Sequence, residues 1–316
     1  MNKPALSFKN YVYGPVPSRR LGFSLGIDLT PCKSCSFDCI YCQLGKTTHK
    51  TIRRFEFVDL KRLEYQLNRK LLLSSRIDYI TISGSGEPTL HKNLDKIIRL
   101  LKKSSQGKIP LALITNSSLL SRRQVREEIK EVDLIVPSLD AATQRTFELI
   151  DRPHKNIRIE NIIEGLIKLR RSFRGKIWLE IMLVRDINTP KREIARLASA
   201  VAKIKPDKIH INLPVRPARY GNLIPSLAQQ RFAREQLGEI CEIVDSFSRQ
   251  KQQKMFTDIE KDIGAYLKRR PASIEDLEYA FGLNRNEIIK YLDILIRKGV
   301  VKQQNSKGQE YFIYGL

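Results

Sequence analysis

From Gly22 to about Asn212 the chain alternates short β-branched apolar runs with longer amphipathic stretches. The runs cover 22–28, 77–83, 110–115, 134–138, 177–183 and 208–212, and each predicts a strand buried on both faces. Between them 58–73, 94–103, 121–130, 156–172 and 191–204 carry helical periodicity. Six such units in series imply a parallel sheet with right-handed crossovers. The expectation is an α/β fold, a partial (β/α)6 barrel, with its active site at the C-terminal ends of the strands, where the βα loops gather.

The pattern then changes. A long helix is expected over 227–250, with a polar connection at 248–254. Helical patterns at 257–267, 273–281 and 285–298 follow, with strands at 300–304 and 310–314 around the turn 306–308. Three short helices and a hairpin make a winged helix, with Asn284 placed to cap its third helix. The expected division is a barrel over 1–250 and a winged-helix domain over 251–316.

A hydrophobic content of 41% over 316 residues can furnish a core for both. No window approaches the roughly 18 apolar residues of a membrane span, and 1–11 lacks the apolar stretch of a signal peptide. These features place the chain in the cytoplasm, away from membranes. The formal charge is +23, a field that attracts polyanions and makes nucleic acid the expected partner class. Residues 251–316 hold 12 Lys and Arg against 9 Asp and Glu, leaving 45 against 25 for the barrel, so the barrel carries most of the excess. The pairs Arg19-Arg20, Arg53-Arg54, Lys102-Lys103, Arg122-Arg123 and Arg170-Arg171 are expected phosphate contacts.

Four of the five cysteines, Cys32, Cys35, Cys39 and Cys42, lie within eleven residues, which suits thiolate metal ligation and not a disulfide framework. They directly follow the first predicted barrel strand, on the catalytic face. Cys35, Cys39 and Cys42 form C-x3-C-x2-C, and three thiolates holding a four-iron cube leave one iron open, whereas a structural cluster is closed by four. A zinc knot using all four cysteines is the alternative. The second strand ends in the small-residue turn Ser83, Gly84, Ser85, Gly86, Glu87 and Pro88, where backbone can approach a ligand. Polar residues close the later strands: Thr115 and Asn116, Ser138 and Asp140, Glu180, and Asn212. Such positions in a barrel read as site residues, although turns and caps favour the same residue types.

The C-x3-C-x2-C spacing, with aromatic Tyr41 before the last cysteine, resembles the radical-SAM superfamily. That resemblance implies a [4Fe-4S] cluster on Cys35, Cys39 and Cys42, S-adenosylmethionine chelated by the open iron, and an external electron donor. One electron then breaks the S–C5′ bond to give methionine and a 5′-deoxyadenosyl radical that takes hydrogen from substrate. Gly84 through Pro88 resemble the family's GGEP-type motif, which holds the methionine amino group. By the same resemblance Ser138 and Asp140 line the cofactor or substrate side, and Glu180 or Arg185 meets the ribose or carboxylate. Longer strings, GPVPSRRLGFSLGIDLTPC, SGSGEPTLH and NLPVRP, are similar to the branch related to wyosine synthase, a tRNA-base enzyme. That enzyme's second cluster needs three further cysteines, and only Cys32 and Cys241 remain here, so a different reaction within that branch is expected. RNA modification, with tRNA first, is the leading expectation. A radical enzyme acting on a peptide or protein, or a redox-sensing DNA-binding regulator, are the alternatives.

Overall fold

The computed structural model describes residues 10–18, 20–74, 76–215, 223–244, 259–306 and 308–315. β1 (Val12–Ser18) runs antiparallel to β2 (Gly22–Asp28) at one edge of an eight-stranded sheet. The loop after β2 carries the cysteines and a two-residue parallel pair, β3 (Ser34–Cys35) with β4 (His49–Lys50). Next come α1 (Leu60–Leu73), β5 (Tyr79–Ser83), α2 (Leu94–Ser104), β6 (Leu111–Thr115), α3 (Arg123–Glu128) and β7 (Leu134–Pro137). Two helices, α4 (Gln144–Ile150) and α5 (Ile159–Ser172), precede β8 (Lys176–Met182), and α6 (Lys191–Ile204) leads to β9 (Lys208–Asn212). α7 (Leu227–Leu237) and β10 (Cys241–Ile243) complete the sheet.

The strand order β1-β2-β5-β6-β7-β8-β9-β10 adds each new parallel strand at the same edge, and among the described residues the two edges do not pair. This is a partial barrel. Alternation along the strands divides their residues between two sides. Leu25, Ile27, Ile80, Ile82, Ile177, Leu179, Ile209 and Ile211 join the helices in the main core, each side chain contributing about 2 kcal/mol by burial. Leu21, Ala112, Leu134 and Val136 form a smaller apolar cluster, against which Tyr79, Ile114 and Trp178 pack. Beyond it, toward the strand ends, the same side of the sheet becomes polar. Strand register sets Asp28 level with Ser83 and Met182 level with Asn212, so the tips form one rim.

The C-terminal segment comprises α8 (Ile259–Leu267), α9 (Ile274–Phe281), α10 (Arg285–Arg297) and the hairpin β11 (Val301–Ser306) with β12 (Gln309–Tyr314). It has its own core, including Ile263, Leu277, Ile288, Leu292 and Phe312. Asn284 caps α10 as expected: its Oδ1 accepts from Glu287 N at 2.9 Å, and Glu287 Oε2 accepts from Asn284 N at 3.0 Å.

One sequence expectation is corrected, and two elements come in addition. The helix expected over 227–250 stops at Gly238, whose φ of +92° suits glycine, and the chain then forms β10 parallel to β9. β1 was not among the expected strands; the sheet edge tolerates its Gly14, Pro15 and Pro17. α4 is an additional helix before α5. The polar connection at 248–254 and the boundary between 250 and 251 lie outside the described residues.

Candidate functional site

The cysteine loop is stitched to the Ser83–Pro88 turn. Lys33 N donates to Ser85 O at 2.7 Å, and Glu87 N donates to Ser34 O at 3.1 Å. Gly86 is required by this approach, since a Cβ there would lie 2.0 Å from the Ser34 carbonyl oxygen. Gly84, at φ +137°, brings the backbone against Asp28 in the same way. Buried Asp28 accepts from Ser85 Oγ at 2.6 Å and Ser85 N at 3.3 Å.

Glu87 ties this turn to the end of β6. Its Oε1 accepts from Thr115 Oγ1 at 2.6 Å, Thr89 Oγ1 at 2.6 Å and Thr89 N at 3.0 Å, while Oε2 accepts from Asn116 N at 2.8 Å. Burial raises its pKa, and these four donors oppose that by favouring the charged form. Glu87 thus acts as a knot. Asn116 Nδ2 then donates to Ser36 Oγ at 2.9 Å and reaches Cys35 Sγ at 3.5 Å.

The three spaced cysteines are partly buried free thiols, and Cys32 is exposed. Lys33 Nζ sits 3.1 Å from Cys42 Sγ, and Cys39 Sγ donates to Asp151 Oδ1 at 3.2 Å. Burial pushes the Cys35 thiol up to about 12, helped by the Glu87 charge, and raises Cys39 well above its ordinary range, with Asp151 adding to the effect. Such thiols ionise when a cationic centre binds them. Among the described residues no group of three Cys, His, Asp or Glu side chains is arranged to hold a metal ion. Three thiols carried on one loop, with an ammonium at Cys42 and an amide at Cys35, are a donor set whose chemistry fits an iron-sulfur cluster.

Tyr41 donates to Asp140 Oδ2, whose other oxygen accepts from Met182 N at 2.8 Å. Ser138 lines a small cavity with Tyr41, Asn116, Asp140 and Asp151. Burial raises the carboxyls of Asp140 and Asp151. On the far side of the rim Glu180 pairs with Arg20 and accepts from Asn212 Nδ2. The exposed side chain of Arg185 pairs with Asp186 at 3.5 Å. The structure therefore gathers the three spaced cysteines, Tyr41, the turn, Thr115, Asn116, Ser138 and Asp140, while Glu180 meets Arg20 and Asn212 and Arg185 meets Asp186.

Asp28, Lys33, Ser36 and Asp151 were not singled out from the sequence, and Arg20 was expected as a phosphate contact, not as the partner of Glu180. Lys33 and Ser36 adjoin the cysteines, and Asp28 ends a strand, so those three carried a local signal; Asp151 and the pairing of Arg20 arrive only through the fold. One expected phosphate contact proves structural: Arg54 is buried against Glu128 and the Thr89 and His91 carbonyls. Arg170 and Lys102 form exposed ion pairs, with Asp207 at 2.8 Å and Asp133 at 3.3 Å. Arg19 lies outside the described residues.

The model of the Radical SAM superfamily matches residues 29–198, more than half of the chain. The chain belongs to this superfamily and is an enzyme of its class, which implies an iron-sulfur cluster and S-adenosylmethionine. It is similar to a protein of Brachyspira hyodysenteriae named GTPase Obg, with 37% identity over 94% of this chain and 44% of that protein. It thus spans less than half of that relative's length. A UPF0026 protein of Helicobacter pylori is 30% identical over 90% of this chain and 91% of its own. A probable dual-specificity RNA methyltransferase RlmN of Thermotoga maritima is 28% identical over 61% of this chain and 55% of its own. Among solved structures, a radical SAM methyltransferase from Sphaerobacter thermophilus shares the fold, with a TM-score of 0.54 and 16% identity over 70% of this chain and 65% of that one. Among the described residues no helix is long and apolar enough to cross a membrane.

Proposed function

We propose that the chain is a cytoplasmic RNA-modifying radical enzyme, with tRNA as its first substrate class, in the branch related to wyosine synthase. Cys35, Cys39 and Cys42 would hold a [4Fe-4S] cluster. When bound and reduced, that cluster supplies the electron that opens S-adenosylmethionine to a 5′-deoxyadenosyl radical. The observation that carries this reading is the stitching of the cysteine loop to the Ser83–Pro88 turn at the strand ends, which fixes cluster ligands and cofactor cradle in one frame.

The chain's own residues have separable tasks. Lys33 offsets the thiolate charge at Cys42, and Asn116 orients Cys35 while Glu87 fixes Asn116. By the resemblance, the turn from Gly84 through Pro88 would hold the methionine end of S-adenosylmethionine. Ser138 and Asp140 face the cofactor or substrate, and Tyr41 holds Asp140 in place. Glu180 and Asn212 close the opposite rim with Arg20. RNA is favoured by the +23 charge and by the resemblance to a methyltransferase whose name specifies RNA. Residues 1–250 would form the catalytic barrel and 251–316 a winged-helix domain.

Mass spectrometry of tRNA nucleosides from cells with and without the gene tests substrate and product together. A nucleoside that disappears with the gene and returns with the wild-type chain, but not with Cys39→Ala, is expected. Identical nucleoside profiles, with the protein present in the control cells, overturn the tRNA assignment.

A further inference from the structure

The C-terminal segment is clamped to the barrel beside the cysteine loop. Arg269 stacks on Tyr13 of β1 with its guanidinium carbon 3.9 Å from the ring centroid, and its Nη2 lies 3.9 Å from Asp28 Oδ2. Arg270 donates to the Pro17 carbonyl at 3.3 Å and packs over Tyr266. These two consecutive arginines are engaged structurally. Lys268, just before them, is exposed, and its Nζ lies 5.4 Å from the centroid of the Tyr314 ring.

Lys268 and Tyr314 belong to one wall of a groove of about 530 Å3 whose other wall is the cysteine loop, including Cys32, Cys42 and Lys46. Among the described residues three cations line the groove and no carboxylate does. Its volume falls within the roughly 300–1,000 Å3 of small-ligand sites, enough for an extruded nucleotide and too small for a duplex. Unpaired bases are read by stacking on aromatic rings beside phosphate-binding cations. Cys42, an expected cluster ligand, faces this same space.

We infer that this groove admits an unpaired RNA nucleotide to the cluster, with Lys46 and Lys268 at flanking phosphates and Tyr314 as the stacking surface. The inference rests on the RNA reading and adds where the strand enters and that the C-terminal segment recognises it. The charge of that segment is modest because its task is local: it supplies one wall of a groove instead of a duplex-binding face.

The test uses full-length, cluster-loaded protein under anaerobic conditions and a short fluorescein-labelled single-stranded RNA, with anisotropy measured across a salt series. Lys46→Gln with Lys268→Gln should lower the magnitude of the salt slope by about 1.4, since each lost phosphate contact on a single strand contributes about 0.7. Tyr314→Leu keeps an apolar contact and should weaken binding about tenfold with an unchanged slope, as loss of one stacked base predicts. Arg99→Gln, on α2 and paired with Asp95, serves as the control and should bind as wild type does. Iron content and thermal midpoint establish that each variant is folded and loaded. Wild-type affinity and slope in both groove variants overturn the groove while leaving the RNA reading intact. Failure of the wild type to retain RNA at low salt overturns both.

Discussion

Adding one methyl group at Gly86 should separate the cysteine loop from the turn it is stitched to. A Cβ at this position lies 2.0 Å from the Ser34 carbonyl oxygen and 2.7 Å from Thr30 Oγ1, where contacts below 3.0 Å force a shift. The Ser34 carbonyl must therefore retreat by roughly 1 Å, a displacement typical of overpacking that costs about 1–3 kcal/mol. Its retreat also breaks the 3.1 Å bond from Glu87 N, worth about 1 kcal/mol. Gly86→Ala should thus destabilise the iron-free chain by about 2–4 kcal/mol in urea unfolding. Cys35 is the next residue after Ser34, and metal sites tolerate ligand errors of only about 0.2 Å, so iron loading on anaerobic reconstitution should fall as well. Gly264→Ala is the matched control. Its Cβ would meet only Leu295 Cδ2, at 3.9 Å, in the middle of α8, and helix propensity predicts a gain of about 1 kcal/mol. Gly86→Ala with the wild-type unfolding midpoint and full iron content would refute the claim that loop and turn share one rigid frame.

Two further perturbations probe the parts around this frame. Arg269→Met keeps the aliphatic stem over Tyr13 but removes the buried cation–π contact, worth about 2 kcal/mol; amide exchange in 259–274 should quicken about 30-fold, and unchanged exchange would mean that the clamp contributes nothing. His91 is buried, and burial lowers its pKa from 6.5 to about 4. The unfolded chain therefore binds a proton between those values that the folded chain refuses. Stability from this group is complete above pH 6.5 and is lost as pH falls toward 4. Between pH 7 and 5 the wild type should lose about 2 kcal/mol more than His91→Leu does, and parallel pH profiles in urea unfolding would contradict this.

Local pattern revealed the barrel because β-branched runs and amphipathic stretches alternate regularly, and Cys35, Cys39 and Cys42 were legible because their ligand spacing lies within one loop. The turn at Ser83–Pro88 was readable for the same reason. Edge strands were not: Pro15 and Pro17 mask β1, and the periodic pattern of α7 continues past the glycine that stops it. The site's supporting contacts also escaped, because Asp151 reaches Cys39 across 112 positions of sequence and Asp28 meets Ser85 across 57. Arginine pairs misled in the other direction. Arg54 and Arg20 look like phosphate ligands in a basic chain, yet each neutralises a distant glutamate within the fold.

Cys35, Cys39 and Cys42 are expected to support reductive cleavage of S-adenosylmethionine. Anaerobically reconstituted protein supplied with dithionite and S-adenosylmethionine should release 5′-deoxyadenosine, measured by liquid chromatography and mass spectrometry, and Cys39→Ala should release none above background. A fully loaded wild-type sample that forms no 5′-deoxyadenosine, or a Cys39→Ala sample that forms as much as wild type, would contradict the account.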